Sequence, residues 1–206
     1  GYLYSVEGYS IYAGEILLAI LALVIFAVLS IRGISVAGKL QTVLALSLVA
    51  CVFLLAIAAF FSPYFSASNL NPSFSLNAEG KSSLGGILAV VAVAPWAFVG
   101  FDSIPQASEE FNFSHKKSRV IMILSILFGG ALYIILNTIT AAVLPEGYTS
   151  WVPYIADCAK DTLPESLSGM TALPTFNAAR LILGTPGLVI LGIALFCAVL
   201  SGIVGF

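Results

Sequence analysis

The sequence predicts an all-α integral membrane protein that crosses the bilayer with five helices, one of which is discontinuous. Of its 206 residues, 60% are hydrophobic and only 9% are charged, and the mean hydropathy is +1.06. A soluble domain carries about 25% charged residues, so this composition excludes one. Five apolar segments approach the roughly 20 residues that a helix needs to cross about 30 Å of hydrocarbon. Because backbone groups in lipid must bond internally, these segments are predicted to be helices.

The five segments form a single membrane domain, residues 1–206. They comprise residues 11–31, 40–61, 84–111, 120–144 and 188–206, and the third is interrupted near residues 96–102. Two long loops, 62–83 and 145–187, separate them on one side of the membrane. Since the chain starts without a methionine and stops inside an apolar segment, we expect it to be an internal part of a longer protein.

Basic residues are divided unevenly between the two sides of the membrane. The loops 32–39 and 112–119 hold five lysines and arginines, whereas the two long loops hold three. The positive-inside rule therefore places the two short loops in the cytoplasm, so that segments one, three and five run inward. We expect a multi-pass protein of the cell membrane, plasma or inner.

Within the second long loop, the stretch "PTFNAARLILG" predicts a short helix. Pro174 would start this helix and Gly184 would stop it. Its apolar side would be formed by Phe176, Ala179, Leu181 and Ile182. We expect the helix to lie on the outer face of the membrane.

The third segment contains "AVAPWAFVGFDSIPQASEEF", residues 92–111, in which several residues disfavour a continuous helix. Pro95 lacks an N–H and clashes with the carbonyl one turn earlier. Gly100 lowers the cost of leaving helical dihedral angles. Asp102 can cap a new helix, and Pro105 is tolerated in the first turn of that helix. The pattern predicts a break near the middle of the segment.

A break at this depth points to a binding site between half-helices that end near residues 96–99 and start near Ser103. Irregular backbone inside a membrane is tolerated only against protein or a water-filled cavity, and it is typical of secondary transporters. Carbonyls at a helix end carry partial negative charge, which suits an ammonium group. Trp96 and Phe101 add flat apolar surfaces for cation–π contacts, and an ionisable Asp102 at this depth indicates function. A simpler interpretation, a kinked helix with an interfacial tryptophan and a capping aspartate, stays open.

The stretch 95–137 resembles the sixth and seventh helices of amino acid permeases in the amino acid–polyamine–organocation superfamily. That family has an aromatic-rich run with a glycine and an acidic residue in its broken sixth helix, followed by a charged cytoplasmic loop. The matching residues are Trp96, Phe98, Gly100, Phe101, Asp102, Glu109, Glu110, Asn112, Lys116, Lys117 and Arg119. In the loop, "NFSHKKS" replaces the usual Asn-Pro. Weaker similarity in "SIRGISVAGKLQTVLAL" and "PTFNAARLILGTPG" extends the resemblance over the whole chain.

The resemblance implies part of an inverted-repeat, leucine-transporter-like fold, with this chain covering about helices four to eight. It implies secondary active transport of an amino acid or related amine by alternating access, without enzymatic activity. No cofactor is implied, and a proton or a sodium ion would be the coupling ion. The first half of the substrate site, including the groups for the substrate carboxylate, would belong to a helix outside this chain.

The resemblance also implies roles for individual residues. The substrate-binding set would be Trp96, Phe98, Val99, Gly100 and Phe101. Carbonyls around Trp96 and Val99 would hold the substrate ammonium, the Trp96 indole would close over the substrate, and Gly100 would permit the unwound turn.

Two residues are candidates for gating or coupling. Asp102 would lie beside the gate and relay a proton or hold the inner half-helix. Ser201 is a candidate because sodium-coupled relatives use hydroxyl groups on helix eight. A packing role for Ser201 is the preferred alternative, since small residues let membrane helices approach closely.

Two other classes of protein remain open at this point. An intramembrane aspartyl protease would use Asp102 with a second aspartate, and no other aspartate lies inside an apolar segment. A non-transporting membrane subunit would explain a kinked helix. The expected partners are the amino acid or amine substrate and the lipid bilayer, with a homo-oligomer left open. The single His115 and three scattered cysteines give no metal-ligand spacing, and nothing in the sequence indicates nucleic acid binding.

Overall fold

The computed structural model is mostly helical, and it describes residues 1–6, 9–31, 34–73, 83–97, 115–160 and 167–205. In chain order the elements are β1 (Tyr2–Val6), β2 (Tyr9–Tyr12), α1 (Ala13–Ile31), α2 (Ile34–Phe60), α3 (Ser83–Ala97), α4 (His115–Ala142), α5 (Trp151–Lys160), α6 (Pro174–Leu183) and α7 (Thr185–Gly205). Short 3-10 turns lie at Ala67–Leu70 and Gly169–Ala172. The chain divides into two compact units, residues 1–48 with 194–206, and residues 49–193.

Three of the described helices are long and apolar enough to cross a membrane. They are Gly38–Phe60 in α2, Lys116–Ala142 in α4 and Thr185–Gly202 in α7. Shorter apolar helical stretches lie at Ala13–Ile25 and Leu84–Ala97. Since apolar helices of this length require lipid around them, the chain is a membrane protein.

The α2 and α4 helices begin well before the apolar segments of the sequence suggest. The α2 helix begins at Ile34 and the α4 helix at His115, so each includes basic residues that the sequence analysis assigned to loops 32–39 and 112–119. Lysine and arginine can keep their stems along an apolar helix while the charged heads reach the interface. Each of these helices therefore starts several residues before its apolar sequence begins.

The first unit contains an antiparallel hairpin that the sequence analysis did not predict. Its register pairs Tyr4 with Ile11, and the rings of Tyr2 and Tyr12 pack edge to face with centroids 6.2 Å apart. The hairpin leads directly into α1, where the Tyr12 N–H donates to the carboxylate of Glu15 at 3.0 Å. Glu15 therefore satisfies a backbone donor at the start of α1, as the glutamate of a capping box does.

The core of the second unit lies where α2, α6 and α7 meet. Leu55, Phe176, Ala179 and Leu191 are buried together. The α6 helix begins at Pro174 and is followed by Gly184, as the sequence analysis expected. On its predicted apolar side, Phe176 and Ala179 are buried and Leu181 and Ile182 are half-buried, so protein covers that side. The α6 helix is thus a packed element of this unit rather than a helix that only rests on a membrane surface.

The segment that follows α2 covers the last turn of α4. The Ala142 carbonyl accepts a hydrogen bond from the Ser66 N–H at 3.1 Å and another from the Asn69 side-chain amide at 2.8 Å. Ala142 and Val143 are fully buried. Because the last carbonyls of a helix lack partners within the helix, these two donors stabilise the α4 terminus.

The same segment also holds the start of α5. The Ser150 hydroxyl donates to the Asn71 carbonyl, and the Trp151 indole N–H donates to the Pro72 carbonyl, each at 2.8 Å. The α5 helix is therefore fixed to a backbone segment about 80 residues earlier in the chain by two side-chain donors.

A group of polar side chains lies between α5 and α6. The Tyr148 hydroxyl donates to the Asp157 carboxylate at 2.9 Å. The Tyr154 hydroxyl and the Asn177 amide nitrogen are buried, and neither makes a hydrogen bond of good geometry within the described residues. Burial, with a smaller effect of the nearby Cys158, raises the pKa of Tyr154 to about 12. Tyr154 therefore stays protonated at physiological pH.

Candidate functional site

The α3 helix brings the first part of the predicted break into the described structure. It runs from Ser83 to Ala97 with Pro95 inside its last turn. Pro95 has no N–H for the Val91 carbonyl, so the helical hydrogen-bond ladder is interrupted there. At 1.5 Å per residue the described α3 is roughly 21 Å long. This length is less than the approximately 30 Å of hydrocarbon, so Ala97 lies at membrane depth if Ser83 is at the surface.

A tyrosine of α4 contacts the backbone of α3 at this point. The Tyr133 hydroxyl donates a hydrogen bond to the Ala97 carbonyl at 2.9 Å. Tyr133 lies about 25 Å along α4 from Lys116 and about 13 Å from Ala142, counting 1.5 Å per residue. The contact therefore lies well inside the spanning part of α4. A side-chain donor thus reaches the main-chain carbonyl of the last described residue of α3, two residues after a proline.

Trp96 is the one predicted substrate-binding residue that lies within the described structure. It is the penultimate residue of α3, and its side chain is 81% exposed within this chain. The fold of the described residues therefore does not depend on packing of the indole. An exposed indole face can contact a cation, so the predicted role of Trp96 is compatible with its exposure.

The other predicted residues at the break lie outside the described residues. They are Phe98, Val99, Gly100, Phe101 and Asp102. In the sequence they follow Ala97 directly. Their assigned roles remain predictions.

Ser201, the other gating or coupling candidate, lies in α7 and is half-buried. It belongs to the first unit, whereas Trp96 and Tyr133 belong to the second. The role of Ser201 also remains a prediction.

Polar residues near the end of α4 have a structural explanation. The Thr140 hydroxyl donates to the Leu136 carbonyl at 2.8 Å and lies 3.2 Å from the Thr175 hydroxyl of α6. Thr140 thus links α4 to α6 and is not available as a substrate contact. Asn137 and Thr138 are exposed within this chain.

The opposite end of α4 carries a cluster of basic side chains. Lys116, Lys117 and Arg119 are all exposed in the first turns of the helix. Lys116 and Lys117, together with Val120 and Ile121, line an open groove. Charged groups at the start of an apolar helix favour the membrane–water interface, so this end of α4 lies at one surface of the membrane.

The described residues show no arrangement of three or more His, Cys, Asp or Glu side chains that could hold a metal ion. Cys51, Cys158 and Cys197 form no disulfide within the described part of the chain. Burial raises the pKa of the Cys158 thiol, so Cys158 is not an activated nucleophile.

Tyr133 is the residue that sequence analysis missed. It lies in the apolar run "ALYIILN", where a tyrosine resembles its aliphatic neighbours. The available signal is that a buried or lipid-embedded tyrosine hydroxyl requires a hydrogen-bond partner. The sequence gives no indication that this partner is a carbonyl 36 residues earlier.

The chain was compared with models of known protein families. The model of the family described as "Amino acid permease" matches residues 2–206, which is nearly the whole chain. No curated protein and no solved structure matches this chain.

Proposed function

This chain belongs to the amino acid permease family, a family of membrane transporters and not of enzymes, and we propose that the protein moves an amino acid or related amine across the cell membrane by alternating access. The substrate ammonium binds at a break in α3 immediately after Trp96. The chain supplies helices four to eight of an inverted-repeat, leucine-transporter-like fold. Family membership sets aside the intramembrane aspartyl protease.

The observation that supports this location is the hydrogen bond from Tyr133 to the Ala97 carbonyl. A donor from another helix meets the backbone of α3 at the position where the sequence predicts the helix to open. In an uninterrupted helix each carbonyl is already paired with the N–H four residues later. Opening the helix after Pro95 frees carbonyls, of which Ala97 is paired with Tyr133 and the following ones receive the ammonium.

The remaining site residues take the roles that the family resemblance implies. The Trp96 indole covers the bound ammonium, and Phe98 and Phe101 line the site. Gly100 permits the unwound turn, and Asp102 takes part in gating or in coupling transport to a proton or sodium ion. Loops 32–39 and 112–119 face the cytoplasm, which the exposed basic start of α4 supports.

Counterflow in proteoliposomes tests this proposal. The full-length protein that contains this chain is reconstituted into vesicles loaded with one unlabelled amino acid at a time, and uptake of the labelled amino acid is followed. We expect transient accumulation for one chemical group of amino acids or amines. Counterflow requires no assumption about the coupling ion, which a proton or sodium gradient then identifies. Absence of counterflow for every amino acid and amine would contradict the proposal and favour a non-transporting membrane subunit.

A further inference from the structure

The contact between Tyr133 and Ala97 is unusual in its chemistry. The acceptor is a backbone carbonyl beside the candidate membrane-spanning part of α4, and the donor is an uncharged side chain of that helix. An unpaired carbonyl in hydrocarbon is costly, so pairing Ala97 stabilises this end of α3. The pairing also fixes the direction of the Ala97 carbonyl, because the tyrosine ring is rigid and its hydroxyl is held by α4.

The chemical type of the donor is significant for a site that binds a cation. A lysine or arginine at this position would pair with the Ala97 carbonyl, but its positive charge would repel an ammonium group nearby. The tyrosine hydroxyl provides a hydrogen bond without a charge. It therefore orients the helix end and leaves the local electrostatic potential favourable for an ammonium group.

We propose that Tyr133 is a positioning residue of the substrate site. By holding the Ala97 carbonyl against α4, it fixes the end of α3, next to which the proposed function places the substrate ammonium. This inference rests on the proposed function, because it concerns the same site. Tyr133 does not touch the substrate.

The role predicts a specific effect on substrate recognition. A primary ammonium group presents three N–H donors, and an N-methylated ammonium presents two. Carbonyls held in a fixed arrangement favour the primary ammonium, since each donor then meets an acceptor. Loss of the Tyr133 hydroxyl loosens this arrangement, so it weakens binding of the primary ammonium more than binding of the N-methyl derivative.

The test uses Tyr133→Phe, which removes only the hydroxyl. In the full-length protein, KM is measured by counterflow for the best amino acid substrate and for its N-methyl derivative. We expect KM for the parent amino acid to rise about fivefold, which corresponds to one hydrogen bond. KM for the N-methyl derivative should rise less, so the preference for the primary ammonium should shrink. The amount of inserted protein and the maximal rate should change by less than about twofold.

Tyr148→Phe is the matched control. It also removes one tyrosine hydroxyl with a hydrogen bond of 2.9 Å, but that bond joins Tyr148 to Asp157 outside the spanning helices. We expect this variant to keep the wild-type ratio of the two KM values. Tyr133→Trp, which keeps an aromatic ring and an uncharged N–H donor, is the second variant, and it should retain a ratio closer to that of the wild type than Tyr133→Phe does.

The outcomes separate this inference from the proposed function. If the wild-type protein shows no counterflow, the proposed function fails. If the wild type transports and Tyr133→Phe leaves both KM values unchanged, the inference about Tyr133 fails while the function stands. An equal rise of both KM values would also overturn it, because a purely structural residue has that effect.

Discussion

A Gly187→Ala variant is expected to lose most of its correctly folded protein. Gly187 is buried in the first turn of α7, where α6 passes against it. A β-carbon at this position would lie 2.7 Å from the Ala179 carbonyl carbon and closer still to the carbonyl oxygen. These are backbone atoms in a fully buried turn of α6, so they have no rotamer by which to move away. Overpacking of this kind costs about 2 kcal/mol or more.

Gly192→Ala provides the control within the same helix. A β-carbon on Gly192 would meet nothing within 4 Å, and alanine is favoured over glycine in a helix by about 1 kcal/mol. The two variants are therefore expected to shift stability in opposite directions. The melting temperature and monodisperse yield of the full-length protein in detergent measure both. Equal behaviour of the two variants would show that α6 and α7 do not pack as described.

A Trp96→Ala variant is expected to insert normally, and its counterflow activity is expected to fall at least about tenfold below that of the wild type. The indole is 81% exposed within this chain, so its removal leaves few packing contacts unsatisfied. A cation–π contact in a desolvated site is worth about 2 kcal/mol, which corresponds to roughly thirtyfold in affinity. Counterflow at several substrate concentrations, normalised to the inserted protein, measures the loss.

Trp151→Ala is the matched control, because Trp151 is the other of the two tryptophans in the chain. Its indole N–H donates to the Pro72 carbonyl and fixes the start of α5. Replacing it should lower the melting temperature while leaving KM for the substrate close to the wild-type value. If the Trp96→Ala variant showed wild-type counterflow, the indole would not be part of the substrate site.

The sequence predicted those parts of the fold that depend on local chemistry. The α6 helix begins at Pro174 and is followed by Gly184 because proline favours the first helical turn and glycine tolerates the φ of +67° found there. Three of the five predicted membrane-spanning helices, in α2, α4 and α7, have the apolar length that a bilayer requires, and the described apolar stretches of the other two are shorter. Helix starts were less predictable, because basic side chains can extend along an apolar helix to the interface.

The parts that depend on contacts distant in sequence were not predictable. The burial of α6 against Leu55 and Leu191 requires the packing of three helices, which a short amphipathic pattern does not encode. The hairpin before α1 has few turn residues to indicate it. At the candidate site, the sequence indicated that Pro95 interrupts the hydrogen bonds of α3. It did not indicate that Tyr133 would donate to the Ala97 carbonyl.

The most direct test of the central claim is substrate protection of a single cysteine at position 99. Every cysteine of the full-length protein, including Cys51, Cys158 and Cys197, is first replaced, and Val99→Cys is then introduced into this background after transport has been verified. The rate of labelling by a membrane-permeant thiol reagent is measured in proteoliposomes with and without the transported amino acid. We predict that substrate slows labelling, with half-maximal protection near KM. An unchanged labelling rate at saturating substrate, in a protein that still transports, would contradict a substrate site at the predicted break after α3.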